Sequence, residues 1–287
     1  MFRTKRFILT LLAATALSGG CTPSLQARHN RAAGIAAPAA MSERVIHAGI
    51  FNLTAWERVS KPEAPVNVYI EGDGLAWMGR KMKSLNPTPP VPIALQLAAQ
   101  DKADNVVYIA RPCQYTGWDK KAAPCPNLYW TEGRTALEVI QAYDQALDNI
   151  AALYHVKGFN LTGYSGGAAV AALTAAERTD ILSLRTVAGN TDYTLFTQMH
   201  NVSPIDASLN PLDVAGKLSG IPQLHFIGAE DDVIPAAIFD KWKGASGGGS
   251  CIKSVIVPDA GHESAWAKKW PELMQTEPAC AAPETTP

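Results

Sequence analysis

The sequence predicts an α/β fold: a doubly wound, mostly parallel sheet with excursions at the carboxyl ends of its strands. Three observations predict it. Short β-branched runs alternate with longer segments of helical period, the arrangement that lays helices on both faces of a parallel sheet. Several of these runs, such as Val106-Val107-Tyr108-Ile109-Ala110, are near-continuously apolar, as strands covered on both faces are. Two long segments, 111–134 and 190–213, break the alternation, and long excursions at strand ends are where such folds build pockets.

In chain order the expected strands are 44–53, 66–71, 105–110, 158–164, 183–187, 223–228 and 252–257. The expected helices are 93–100, 135–154, 167–177 and 262–274. The second helix has the clearest period: Leu137, Ile140, Tyr143, Leu147 and Ile150 recur on one face behind a Thr135/Glu138 capping-box pattern. A chain of 287 residues, 47% apolar and 18% charged, suffices for one core, and residues 44–275 read as a single domain. The formal net charge of −1, with no basic stripe, gives no reason to expect a nucleic-acid partner.

The chain opens on Arg3, Lys5 and Arg6, an apolar stretch from Phe7 to Leu17, and Ser18-Gly19-Gly20 before Cys21. That layout reads as an export signal over 1–20, too short for a span of about 20 apolar residues. The placement of Cys21 resembles a bacterial lipobox, in which the cysteine is acylated, for example with palmitate, and becomes the mature N-terminus. Leu17 stands one residue further from Cys21 than in the usual form, and ordinary cleavage is the alternative. Lipidation implies a membrane anchor at Cys21, a flexible Ala/Pro/Arg-rich tether over 22–43, and a place in the bacterial envelope, at the outer membrane or periplasm. The remaining cysteines, Cys113, Cys125, Cys251 and Cys280, form an even set, as disulfides in an oxidising compartment do. Cys113–Cys125 would close a Pro-rich loop and Cys251–Cys280 would tie the 276–287 tail to the last strand; other pairings stay open. A zinc site lacks the C-x-x-C spacing it would need.

The sharpest local signal is Gly163-Tyr164-Ser165-Gly166-Gly167, between a strand and an Ala-rich helix: the G-x-S-x-G nucleophile elbow in its required context. A strand-to-helix turn this tight needs glycine two residues to either side, and it lifts the serine hydroxyl above the sheet edge. Serine is a poor nucleophile without a base, and the base needs a carboxylate to fix its tautomer. Downstream, one strand ends at Gly228 ahead of Glu230-Asp231-Asp232, and the last strand leads to Ala260-Gly261-His262. His262 is the candidate base. His225 lies inside a strand and reads as core, while His200 sits in the 190–213 excursion.

With elbow, acid and Gly-His loop in that order, the chain resembles the α/β-hydrolases from about Val66 to His262. More narrowly it is similar to bacterial α/β-hydrolase-family lipoproteins of unassigned substrate, through Ala110-Arg111-Pro112-Cys113-Gln114-Tyr115, Tyr129-Trp130-Thr131-Glu132-Gly133-Arg134 and Ala188-Gly189-Asn190-Thr191-Asp192-Tyr193. The resemblance implies a triad of Ser165, Asp231 and His262. Asp231 matches the family's G-x-x-D-x-V-[VI]-P form, with Asp232 and Glu230 as neighbouring competitors. It also implies an oxyanion hole from the backbone N–H groups of Gly166 and Asp73. Asp73 lies in the early turn Glu71-Gly72-Asp73-Gly74, where Glu71 replaces the usual His; a plain turn is the other reading. Gly72, Arg111 and Trp130 are the candidate substrate-binding residues, although Arg111 could instead pair with an acid and Trp130 could be core. The chemistry expected is hydrolysis of a small-molecule carboxylic ester through an acyl-enzyme, with no metal or cofactor. A peptidase, amidase or thioesterase would use the same machinery. An envelope lipoprotein that keeps the fold as a binding module is the reading from a different class.

Overall fold

The computed structural model describes residues 22–79, 81–116 and 125–281. Its centre is one eight-stranded sheet of β1 (Ser42–Ala48), β2 (Phe51–Val59), β3 (Val66–Ile70), β4 (Asn105–Ile109), β5 (Phe159–Tyr164), β6 (Ile181–Val187), β7 (Gln223–Gly228) and β8 (Ile252–Val257), in the order β1-β2-β4-β3-β5-β6-β7-β8. Strand β2 runs antiparallel to both β1 and β4, and every other pairing is parallel. The helices are α1 (Leu25–Ala36), α2 (Ile93–Gln100), α3 (Leu137–Tyr154), α4 (Gly166–Glu177), α5 (Tyr193–His200), α6 (Ala236–Ala245) and α7 (Trp266–Leu273).

Alternation along the strands sorts the core into two layers. Val107 and Ile109 of β4 pack with α3, α4 and Trp242 of α6. Val106 and Tyr108, one residue out of step, pack with α1, α2, and Trp266 and Trp270 of α7. All five residues of β4 and all six of β7 are buried, which is why 106–109 read as an unbroken apolar run, whereas β7 also buries the polar Gln223 and His225. Their carboxyl ends, and therefore the loops after β3, β5, β7 and β8, open on one edge of the sheet.

Several expectations are corrected. Residues 44–53 are not one strand but part of a β1–β2 hairpin, which turns at Gly49 with φ 57°. The expected tether over 22–43 contains α1: Ser24 Oγ accepts the N–H of Ala27, and Arg28, Ala32 and Ala36 are buried at i, i+4, i+8 spacing against the α2 layer. The Thr135/Glu138 capping box does not form. Thr135 Oγ1 donates to Leu209 O and Glu138 accepts from the Tyr129 hydroxyl, leaving Ala136 as the cap residue without a side-chain bond.

Cys113 is bonded to Cys125 and Cys251 to Cys280. The latter holds the C-terminal segment near the edge strand β8, where Ala281 N–H donates to Ser250 O at 2.9 Å. Residues 1–20, Cys21 and residues 282–287, on which the export signal, the lipidation site and the end of the tail fall, lie outside the described residues. Among the described residues no helix is long and apolar enough to cross a membrane.

Candidate active site

Ser165 stands at the junction of β5 and α4 with φ 51° and ψ −120°, a conformation disfavoured for any residue with a side chain. The glycines around it are required by contact. A Cβ on Gly163 would lie 2.4 Å from Gly167 O, and one on Gly167 would lie 2.3 Å from Ile70 O. The turn is pinned from both sides, since Ser165 N–H donates to Val187 O at 2.9 Å and Ser165 O accepts from Asn190 N–H at 3.1 Å.

The structure brings Asp231 and His262 to this serine. Ser165 Oγ and His262 Nε2 are 3.0 Å apart, and His262 Nδ1 is 3.0 Å from Asp231 Oδ2. The competition among the three acids after β7 ends here: Asp231 is buried, whereas Glu230 and Asp232 are exposed. Its second oxygen, Oδ1, accepts the N–H groups of Val233 and Ile234 at 2.9 and 2.8 Å, so the carboxylate cannot swing away from the ring. The His262 carbonyl is held by Tyr164 Oη at 3.0 Å and Trp266 Nε1 at 2.9 Å. The loops carrying acid and base are tied together where Glu230 N–H donates to Ala260 O at 2.9 Å.

Across from the elbow lies the turn after β3. Gly72 is pressed against the nucleophile, since a Cβ there would sit 3.3 Å from Ser165 Cβ and 3.0 Å from the Tyr164 ring. Among the described residues the backbone N–H groups of Asp73 and Gly166 have no hydrogen-bond acceptor. Two free donors on adjoining turns beside a serine hydroxyl are what an oxyanion needs. The Asp73 side chain packs over Gly166 and is clamped by two guanidiniums, with Arg111 Nη1 at 3.0 Å from Oδ1 and Arg134 Nη1 at 2.5 Å from Oδ2. Burial alone would raise the Asp73 carboxyl, but Arg134 and Arg111 outweigh it and hold it below the usual range. The turn has two further supports. Gln114 Nε2 donates to Gly72 O at 2.9 Å, and buried Glu71 accepts the Gly72 N–H through Oε1 at 2.9 Å. Glu71 also takes the Tyr108 hydroxyl at 3.1 Å, and burial pushes its carboxyl up to about 7.

Two candidate substrate-binding residues are corrected. Arg111 is 3% exposed, its guanidinium directed to Asp73 and the Arg134 carbonyl, and Trp130 is 6% exposed with Nε1 donating to Ser84 O at 3.2 Å. Arg111 Nη1, Arg111 Nη2 and Trp130 Nε1 are taken by partners 38, 23 and 46 residues away in sequence, so these side chains brace the strand-end loops instead of lining an open wall. The excursions are stitched together in the same manner: Ser208 Oγ donates to Glu132 O at 2.8 Å and Leu209 N–H to Thr135 O at 3.0 Å. Sequence reasoning passed over Gln114, although it lies within a singled-out segment. A glutamine between Arg111 and Tyr115 at a strand end, with no exposed role, was the available signal. Among the described residues no three His, Cys, Asp or Glu side chains are grouped as a metal ion would require.

No family model and no curated protein matches the chain. Solved structures do. A serine hydrolase homologue from Coxiella burnetii is 16% identical with a TM-score of 0.53, covering 82% of this chain and 94% of that one. An esterase from Pyrococcus furiosus is 12% identical with a TM-score of 0.56, over 82% and 90%. An acylaminoacyl peptidase from Pyrococcus horikoshii is 15% identical with a TM-score of 0.59, over 82% of this chain and 41% of that one. At such identities the likeness is one of architecture, and it agrees with the strand order and helix layers described above: this chain has the α/β-hydrolase fold.

Proposed function

We propose that the chain is a serine hydrolase that cleaves carboxylic esters through an acyl-enzyme on Ser165. The observation that carries this reading is the connected line Ser165 Oγ–His262 Nε2–Asp231 Oδ2, with 3.0 Å at each step, beside the free N–H groups of Asp73 and Gly166. Asp231 keeps the Nδ1 proton on His262, so Nε2 is free to take the proton from Ser165 as Oγ attacks the ester carbonyl. The tetrahedral oxyanion accepts from the two backbone donors. His262 passes its proton to the departing alkoxide, which leaves as the alcohol. It then deprotonates a water that attacks the acyl group, and collapse of the second tetrahedral adduct returns the carboxylic acid and free Ser165.

The solved structures of similar fold include both an esterase and a peptidase by name, so leaving-group preference is the open choice within this reading. Esters are favoured because they demand less protonation of the leaving group than amides do. Export and a lipid on Cys21 belong to the same proposal, which places the activity at the bacterial envelope. A fluorophosphonate probe tests the core of it: labelling that disappears in Ser165→Ala is expected, and an unlabelled wild type sinks it. p-Nitrophenyl esters should turn over faster than the matching anilides, and His262→Ala should lower turnover at least ~10³-fold.

A further inference from the structure

The loop that leaves the oxyanion turn carries an apolar, basic tip that no described part of the chain covers. Ser84 N–H donates to Ala76 O at 2.9 Å, Met78 N–H to Met82 O at 2.8 Å, and Trp77 pairs with Lys83 in an antiparallel bridge, so 76–79 and 81–84 are the two arms of a short hairpin. Its root is fixed: Ala76 and Ser84 are buried, and Trp130 donates to the Ser84 carbonyl. Its tip is not. Met82 is 60% exposed, Met78 44% and Trp77 37%, and Leu85, next along the chain from the root residue Ser84, is 97% exposed. Three cations, Arg80, Lys81 and Lys83, are interleaved with these side chains in the sequence. Among the described residues Glu132 pairs with Lys83, at 2.7 Å from Nζ, and Lys81 makes no ion pair, which leaves one unbalanced positive charge beside the apolar side chains.

Large apolar side chains clustered at this exposure mark a surface that meets another phase or partner. The chemistry here selects a bilayer. Trp, Met and Leu suit the acyl boundary, and long Lys stems let their charges reach anionic headgroups from the same depth. A second feature ties the tip to the beginning of the folded chain. Arg28 of α1 donates to Thr88 O at 2.7 Å and to Pro23 O at 2.9 Å, and Arg31 donates to Pro90 O at 2.9 Å. Residue 23, two positions after Cys21, is thereby fastened to the loop that bears the tip, so a lipid on Cys21 and the hairpin would reach the same surface.

We propose that the hairpin arms 76–79 and 81–84, with the adjoining Leu85, form a membrane-docking element that seats Met78, Met82 and Leu85 in an anionic lipid surface, at the sheet edge that carries Ser165. The docking requires neither the lipid on Cys21 nor hydrolysis. Residues 22–287 contain every core residue described above and lack Cys21, so they serve as the test chain. They are mixed with vesicles of phosphatidylglycerol and phosphatidylethanolamine, or of phosphatidylcholine alone, and the bound fraction is read by co-sedimentation. Binding is expected on the anionic vesicles and at least ~10-fold weaker on phosphatidylcholine. Met82→Ser combined with Leu85→Ser should lower anionic-vesicle binding by roughly 10-fold or more, and Lys81→Glu by roughly 5-fold at low salt. Hydrolysis of a soluble ester should be unchanged in both, because these side chains touch neither Ser165 nor its partners. Equal binding to the two vesicle types, binding to neither, or full binding by the Met82→Ser/Leu85→Ser chain overturns the proposal. Anionic-vesicle binding by a chain that hydrolyses no ester supports the docking and counts against the hydrolase reading alone.

Discussion

The two turns that meet at Ser165 are held in place by different physics. The elbow at 163–167 is shaped by backbone contact: glycines where a Cβ would lie 2.3 to 2.4 Å from a carbonyl oxygen, and a serine forced to φ 51°. The facing turn at 71–74 is held by side chains brought from a distance: Arg111, Gln114 and Arg134 from one side, Glu71 from below. The first is shaped by close backbone approach, to Ile70 of β3 and Val187 of β6 as well as within the turn itself. The second exists only when β3, β4 and the loop before α3 are assembled, so its geometry is hostage to a buried charge network. Changes to the Ser165 side chain should therefore act on chemistry with little cost in stability, unlike any side chain added at Gly163 or Gly167. Changes at the facing turn should act on stability and chemistry together.

The largest effect tests the elbow. Ser165→Gly removes the nucleophile and also places the one residue that tolerates φ 51° at the strained position. Turnover should fall by roughly 10⁶-fold while stability to urea rises by about 1 kcal/mol. A variant that loses activity and stability alike would mean that the strain is absent or that the serine hydroxyl supports the turn.

Next comes Asp73→Ala at the facing turn. It leaves two guanidiniums, 4% and 10% exposed at the side chain, without their carboxylate. Breaking a buried pair from one side costs about 3 to 5 kcal/mol, and the urea midpoint should fall accordingly. A shift under about 1 kcal/mol would show that the network does not hold the turn.

The same contrast decides what could be read from the sequence. The elbow, the Gly-His loop and the apolar parallel strands were legible because each is written in a few adjacent residues. Asp231 was separated from Asp232 only by matching a family form. The physical reason is the pair of N–H groups two and three residues on, which accept no other orientation of the carboxylate. Arg111 and Trp130 stayed open between pocket wall and internal support because their partners lie far along the chain, and a residue in a strand-end excursion looks the same whether it faces a ligand or a carbonyl. Helix α1 was hidden by composition. Its buried face is Arg28, Ala32 and Ala36, and alanines give almost no hydrophobic contrast to a helical period.

Glu71 gives a pH-resolved test of the facing turn. The unfolded chain ionises this carboxyl near 4.5 and the folded one at about 7, because burial penalises the charge. Between these values the folded state holds the extra proton, so this group's contribution favours folding at low pH and is lost as pH rises through the window. The amplitude is about 3 kcal/mol. Glu71→Gln mimics the protonated acid, and its stability relative to wild type should rise across pH 4.5 to 7 and then level off. Taking the difference between the two chains cancels His225, whose burial lowers its ring to about 3 and acts in the opposite sense. A difference that stays flat with pH would mean that Glu71 is already ionised when folded.

The smallest effect is the most specific. Gln114 makes two bonds that nothing else replaces: its Nε2 donates to Gly72 O, and its Oε1 accepts the Arg111 N–H at 3.1 Å. Gln114→Leu keeps the volume of a side chain with no solvent exposure and strands both backbone groups, which should cost about 2 kcal/mol. Gly72 O belongs to the peptide whose N–H is the Asp73 donor, so loosening the carbonyl tilts the donor itself. Turnover of a soluble ester should drop by about 10-fold with KM little changed, because the oxyanion contact is made in the transition state and not with the bound substrate. Normal turnover in a measurably destabilised Gln114→Leu would separate the two roles, leaving Gln114 as a brace for the loop and the Asp73 N–H as a donor that holds its aim without help.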